Sequence, residues 1–153
     1  MSTTALAHPS TTGAAGTYLT FQVGEEEYGV EILRVREIIG MQPITPVPGG
    51  PSHVIGVINL RGNIIPVMSM RERFGMGASE AHPHNVIIVI ENGAAHIGIA
   101  VDRVREVASF VDADIEPRPA YGLDVDANAV KAIGKSQGRI RILLDIHKVL
   151  GDR

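Results

Sequence analysis

The chain repeats itself, and that limits its fold more than any other feature. Gly29–Ile38 lines up with Gly98–Val107, sharing the glycine and the run Arg-Val-Arg-Glu. Ile44-Thr45-Pro46-Val47-Pro48 answers to Ile115-Glu116-Pro117-Arg118-Pro119, and Gly62 through Gly75 answers to Gly138 through Gly151. In the last match Ile64 meets Ile140, Val67 meets Leu143 and Phe74 meets Leu150. Three agreements in one order point to two copies of a single unit. The unit reads as hairpin, kinked strand, proline loop, hairpin and helical turn. About five short strands can curl into a small barrel, marginal alone at that size. The expectation is therefore two barrels packed along an apolar seam, an all-β chain with short helices.

Local patterns place the strands. Leu19, Phe21 and Val23 alternate with Tyr18, Thr20 and Gln22, the period of a half-buried strand. Gly24-Glu25-Glu26 turns the chain into a second strand, Glu27–Ile32. The segment Ile32–Ile39 is ambiguous, because Ile32, Val35 and Ile39 fit one helical face while β-branched runs also fit strands. Residues 40–51 hold four prolines and must be an extended loop. Ile55–Leu60 and Ile64–Val67 read as strands around a turn at Arg61-Gly62-Asn63, followed by one helical turn at Met70–Phe74. Asn92-Gly93 between two apolar runs is a strong hairpin signal. Val104–Phe110, Val130–Ser136 and Arg139–Asp145 complete the strands; residues 111–129 are a second loop, and Ile146–Leu150 is a terminal helix. Residues 1–16, rich in Ser, Thr, Ala and Gly, are expected to be a flexible tail. The subdomains are expected at 17–78 and 79–153.

Composition closes off several functions. Aromatic residues are scarce (Phe 3, Tyr 3, Trp 0), so Val, Ile and Leu must build the core. A net charge of −3 gives no broad electropositive field, which disfavours nucleic-acid binding. Without cysteine there is no disulfide, thiol chemistry or thiolate-held metal. No apolar run approaches the roughly 20 residues that span a bilayer, and no basic start leads into an apolar stretch, so no membrane insertion and a cytoplasmic location are expected. His82-Pro83-His84 lacks a third ligand nearby, and no metal site is expected there. Glu25-Glu26-Glu27 is a solvated turn. No nucleophile elbow, P-loop or GxGxxG occurs, so no catalytic residue and no cofactor are expected.

Arg61 stands apart. It sits between a strand and a Gly turn, where a guanidinium can reach a carboxylate, with Glu37 the natural partner. The plain reading is a surface pair of small energy. The functional one is a charged rim beside an apolar seam of Val35, Ile39 and Val104.

The segment NLRGNIIPVMSMRERFG, with EYGVEILRVREII, GIAVDRVREV and GRIRILLDIHKVL, resembles the CheW family of bacterial chemotaxis coupling proteins. The likeness runs from Thr17 to Leu150. It implies two SH3-like five-stranded barrels and a non-catalytic adaptor, monomeric on its own. The partners implied are chemoreceptor cytoplasmic tips and the regulatory domain of the histidine kinase CheA, so the protein would join membrane receptor arrays through them. Val35, Glu37, Arg61 and Val104 occupy positions matching the receptor-binding groove. Ile44, Val47 and Tyr121 occupy positions implied in kinase binding. Ser69-Met70 stands where the family usually has Asp-Leu, and Ala132 replaces a frequent glycine. Glu116 stands where some relatives carry a basic residue, against the usual charge pairing of the kinase contact. The alternatives are a small-molecule-binding barrel, which needs an open apolar cavity, and a coupling protein of a non-flagellar chemosensory pathway.

Overall fold

The computed structural model describes residues 14–48, 54–75, 85–117 and 129–150. In chain order the strands are β1 (Gly16–Val23), β2 (Glu26–Glu31), β3 (Val35–Gly40), β4 (Val54–Leu60), β5 (Asn63–Ser69), β6 (Val86–Asn92), β7 (Ala95–Val101), β8 (Arg103–Phe110), β9 (Ile115–Pro117), β10 (Val130–Ser136) and β11 (Arg139–Leu144). Two single-turn helices, α1 (Met70–Arg73) and α2 (Ile146–Val149), follow β5 and β11. The ambiguous stretch after β2 resolves into both alternatives, a 3₁₀ turn at Ile32–Arg34 and then β3. Order begins before Thr17: β1 starts at Gly16, and the Tyr18 hydroxyl donates to the carbonyl of buried Ala14 at 2.6 Å. The loop after β8 holds a further 3₁₀ turn, Asp112–Asp114, and the short strand β9.

The strands form a six-stranded sheet, β9-β10-β11-β2-β1-β8, and a five-stranded sheet, β3-β6-β7-β5-β4. The sheets do not divide the chain near residue 78. The hairpin β1-β2 of the first copy lies in the sheet built by the second copy's later strands, and β6-β7 lies among the first copy's later strands. Each sheet is thus a hairpin from one copy completed by the other. The expectation that one copy curls into its own barrel is corrected here. The exchange occurs at the kinked strand, where β3 leaves its own hairpin to pair with β6 and β8 leaves to pair with β1.

The repeat is visible residue by residue. Each sheet has one parallel pair, Val67 opposite Gly98 and Leu143 opposite Gly29, where the two copies meet. A Cβ added to Gly98 would lie 2.7 Å from Ile87 Cγ2, and one added to Gly29 would lie 3.1 Å from Leu143 Cδ2. Space inside the sheets therefore explains why both copies carry glycine. Thr45 bridges to Val57 as Glu116 pairs with Ile133. The first bridge returns the chain leaving β3 to the opposite edge strand β4, so the five-stranded sheet closes on itself.

Three apolar clusters hold the fold. The largest lies between the sheets and includes Leu19, Phe21, Tyr28, Met70, Phe74, Ile88, Ile90, Ile99, Ile142 and Val149. The five-stranded sheet encloses Ile58, Leu60, Ile65, Val67, Ile87 and Val89; the six-stranded one encloses Tyr18, Phe110 and Leu143. The unbroken run Val86-Ile87-Ile88-Val89-Ile90 is apolar because both faces of β6 are buried, alternate residues serving different cores. The divergence of Ser69 from Asp145 is a change of helix cap. Ser69 accepts from the Glu72 N–H at 3.2 Å, and Asp145 accepts from the His147 N–H at 3.1 Å.

Candidate partner-binding site

The turn between β4 and β5 is two residues long, Arg61 and Gly62, with Leu60 opposite Asn63. Both have positive φ, 53° and 88°, the combination a tight hairpin turn needs. Asn59 Oδ1 accepts from the Gly62 N–H at 2.8 Å and steadies the turn. Gln137 and Gly138 repeat these angles at 56° and 74°, so the unusual backbone belongs to the turn and not to arginine.

Arg61 Nη2 donates to Glu37 Oε2 at 2.5 Å, joining the turn to β3. Glu37 is aimed by a bulge. β3 loses register between Val35 and Glu37 as it pairs with β6, leaving Arg36 as the extra residue. The bulge twists the strand and places Glu37 across from Val89. The pair borders an open cleft of about 210 Å³ whose floor includes Leu60, Ile65 and Val89 and whose rim includes Arg36, Asn63 and His96. Arg36 is itself paired with Glu91 at 2.9 Å.

The same construction in the six-stranded sheet is sealed. Glu106 occupies the place of Glu37, after an equivalent bulge, and lies across from Thr20. Arg141 stands where the five-stranded sheet has Ile65, and its side chain is 1% exposed. Arg141 donates to Glu106 and, at 3.2 Å, to Glu27, while its guanidinium carbon lies 5.8 Å from the Phe110 ring centroid. Arg139 also donates to both Glu27 oxygens at 3.1 Å. Burial alone would raise the Glu27 pKa, but hydrogen bonds from Arg139 and Arg141, and their charges, hold it below the usual glutamate value.

The structure brings Glu37 and Arg61 together and sets Val35 and Val104 apart from that pair. These valines hold equivalent positions in the two sheets, opposite Ile90 and Phe21, and both are partly buried against the shared core. Ile44 packs on the five-stranded sheet's inner cluster, whereas Val47 is exposed. Tyr121 lies outside the described residues. Asn63, Ile65 and His96 escaped the sequence reading. Aligning the copies by position would have found them, since Ile65 against Arg141 and His96 against Glu27 are the largest chemical changes around a shared glutamate.

A second cleft of about 160 Å³ lies beside Glu31, Arg34, Lys131 and His147. Arg34 Nη2 lies 2.8 Å from His147 Nε2, and Lys131 is paired with Glu31 and donates to the Tyr18 hydroxyl. Elsewhere, Asp102 accepts from Arg71 at 3.0 and 2.9 Å and from the Gly24 N–H at 2.8 Å. Among the described residues no group of three or more His, Cys, Asp or Glu could hold a metal ion, and no helix is long and apolar enough to cross a membrane.

Comparison with known proteins agrees with this architecture. The model of the CheW-like domain matches residues 17–153. A chemotaxis protein CheW of Rhizobium meliloti is 37% identical over 131 residues, covering 86% of this chain and 84% of that protein. One from Klebsiella aerogenes is 35% identical over 133 residues, covering 87% and 80%. The crystal structure of the scaffolding protein TtCheW from Thermoanaerobacter tengcongensis superposes with a TM-score of 0.81 at 33% identity, covering 88% of this chain and 92% of that one. With two exchanged barrels and a family match over residues 17–153, the chain belongs to the CheW family.

Proposed function

We propose that this protein is a chemotaxis adaptor that couples chemoreceptor cytoplasmic tips to the histidine kinase CheA, with the Arg61–Glu37 pair at its receptor-facing site. Membership of a family of coupling and scaffolding proteins supports the role. One observation carries the choice of site: the bulged strand of the five-stranded barrel sets its glutamate beside an open cleft, with a guanidinium 70% exposed, whereas the equivalent Glu106 is bonded by the buried Arg141. Exposed charge at a rim steers and orients a partner more than it stabilises the fold. Val35 and Val104, partly buried against the shared core, are proposed for the apolar seam, where an amphipathic helix can lay its apolar face. Ile44, Val47 and Tyr121 are proposed for the kinase-facing side, through the proline loops.

An adaptor works as a rigid body that holds two partners in fixed relation. The reciprocal exchange of hairpins supports rigidity, because neither barrel can part from the other without opening both sheets. Sedimentation with CheA and with receptor-tip fragments, tested separately, checks the partners, and binding to neither would end the proposal. Arg61→Ala is expected to weaken receptor-dependent kinase activation with the fold retained. Undiminished activation by a folded variant would remove Arg61 from the site. The small-molecule alternative gains no support, because both barrel interiors are filled by their own side chains.

A further inference from the structure

The sealed barrel shows what the open one lacks. In the six-stranded barrel the space over β11 is filled by one long side chain, Arg141. Its guanidinium lies over the Phe110 ring and bonds Glu27 and Glu106. In the five-stranded barrel the glutamate is kept as Glu37, but Ile65 replaces Arg141 and ends several atoms short of where a guanidinium would sit. Val89 replaces Thr20 and His96 replaces Glu27, so the floor gains apolar surface and loses one carboxylate. The result is the open cleft of about 210 Å³ beside Glu37.

We infer that this cleft receives the side chain of one arginine from a protein partner, its stem on Ile65 and Val89 and its head on Glu37, in the manner of Arg141 on Glu106. The inference rests on the reading that the Arg61–Glu37 face binds a partner, and it adds the chemistry of the anchor. Three features favour arginine. A retained carboxylate in a low-lying position favours a cation, and the internal counterpart shows that a guanidinium fits the bulged backbone. Arg61 engages one carboxylate oxygen, Oε2, whereas a planar guanidinium from a partner can share a carboxylate that already has one cationic neighbour, as Glu27 is shared by Arg139 and Arg141. The arginines of the rim are already paired, Arg36 with Glu91 and Arg61 with Glu37, and Ile65 and Val89 between them suit a long stem with a charged tip.

The test uses the full chain, isotope-labelled, titrated with N-acetyl-arginine amide and followed by NMR. Saturable shifts are expected at Glu37, Ile65, Val89 and His96, in the millimolar range proper to one side chain. Glu37→Gln should weaken the affinity at least tenfold with the remaining spectrum intact. The double variant Ile65→Arg with His96→Glu rebuilds the internal plug and should abolish the shifts. If that variant does not fold, Glu37→Gln decides alone. Equal or stronger shifts from N-acetyl-glutamate amide, or no shifts from the arginine probe, would overturn the inference. Such a result leaves the adaptor proposal standing if Arg61→Ala still lowers kinase activation. Loss of the adaptor proposal would instead show as absent receptor and kinase binding with the arginine probe still seated.

Discussion

The two barrels share a chain plan and part company at one end. Both have the exchanged hairpin, the bulge at Val-Arg-Glu, the two-residue turn with positive φ and the capped helical turn. In the six-stranded barrel that end is closed by two arginines and two glutamates, one arginine wholly buried. In the five-stranded barrel two exposed pairs, Arg61–Glu37 and Arg36–Glu91, border a cleft. The pseudo-symmetry extends to apolar residues left outside. Ile64 and Ile140 occupy equivalent positions and are 64% and 60% exposed, so both barrels keep an apolar residue on the outer face.

If the sealed end is structural, its removal must cost stability. Arg141→Ala removes the buried cation from Glu27 and Glu106 and leaves them only Arg139, and breaking such a group costs up to about 3–5 kcal/mol. Urea denaturation should show this as a lower midpoint with little change in slope. Replacing Glu27 and Glu106 by Gln together with Arg141→Met should recover most of the loss, because the cost lies in the unpaired charge. A loss below about 1 kcal/mol would mean that the sealed end is no more structural than the open one.

The next largest contrast lies at the closure of each barrel. Gly56 has φ 153°, and an added Cβ would lie 2.3 Å from the Thr45 carbonyl oxygen, at the bridge that closes the five-stranded barrel. Its counterpart opposite Leu143 is Ala132, where a Cβ is already accommodated. Gly56→Ala should therefore destabilise by about 1–3 kcal/mol through strain and overpacking. Ala132→Gly should cost less, and a reversed order in thermal melts would break the equivalence of the two closures.

Acid provides a smaller contrast. The Glu27 pKa is depressed in the folded protein, so the unfolded chain binds the proton more readily. The stability this contributes is fully present above the ordinary glutamate value of about 4.3 and is lost as pH falls through the lower folded value. Stability measured from pH 6 down to pH 3 should decline more steeply in the wild type than in Glu27→Gln. Parallel curves would show that Glu27 draws no net support from its arginines.

How much of this was legible in the sequence depends on the range of the interaction. Strands came through because alternation and turn residues are local. Gln137-Gly138 marked its hairpin turn, Asn92-Gly93 marked one that falls a residue later, at Gly93-Ala94, and Arg61 pointed to Glu37 through simple charge logic. The duplication was legible, but the exchange was not. Whether β3 pairs with its own hairpin or with the other copy's depends on a bend at Ile32–Arg34, and the apolar pattern is the same either way. The sealed end was hidden for a similar reason. Arg139 and Arg141 alternate with Ile140 and Ile142 as an ordinary solvent-facing set would, yet Ile140 is exposed and Arg141 buried. Only a partner distant in sequence, Glu27, reverses that reading.

The smallest effect on stability belongs to the residue with the largest expected effect on function. An exposed ion pair such as Arg61–Glu37 contributes about 0–1 kcal/mol. The strain of a positive φ comes from the Cβ, which Arg61 already carries, so replacing its side chain leaves that cost unchanged. Glutamine is the closest replacement by position, since Gln137 holds the equivalent turn at φ 56°. Arg61→Gln should thus shift the urea midpoint by less than about 1 kcal/mol equivalent while lowering receptor-dependent kinase activation. A loss of stability near that of Arg141→Ala would mean that the Arg61 turn is a structural clamp like its counterpart. Near-wild-type melting with weakened activation would instead separate the two ends of the molecule by role, one arginine holding the fold and the other facing the partner.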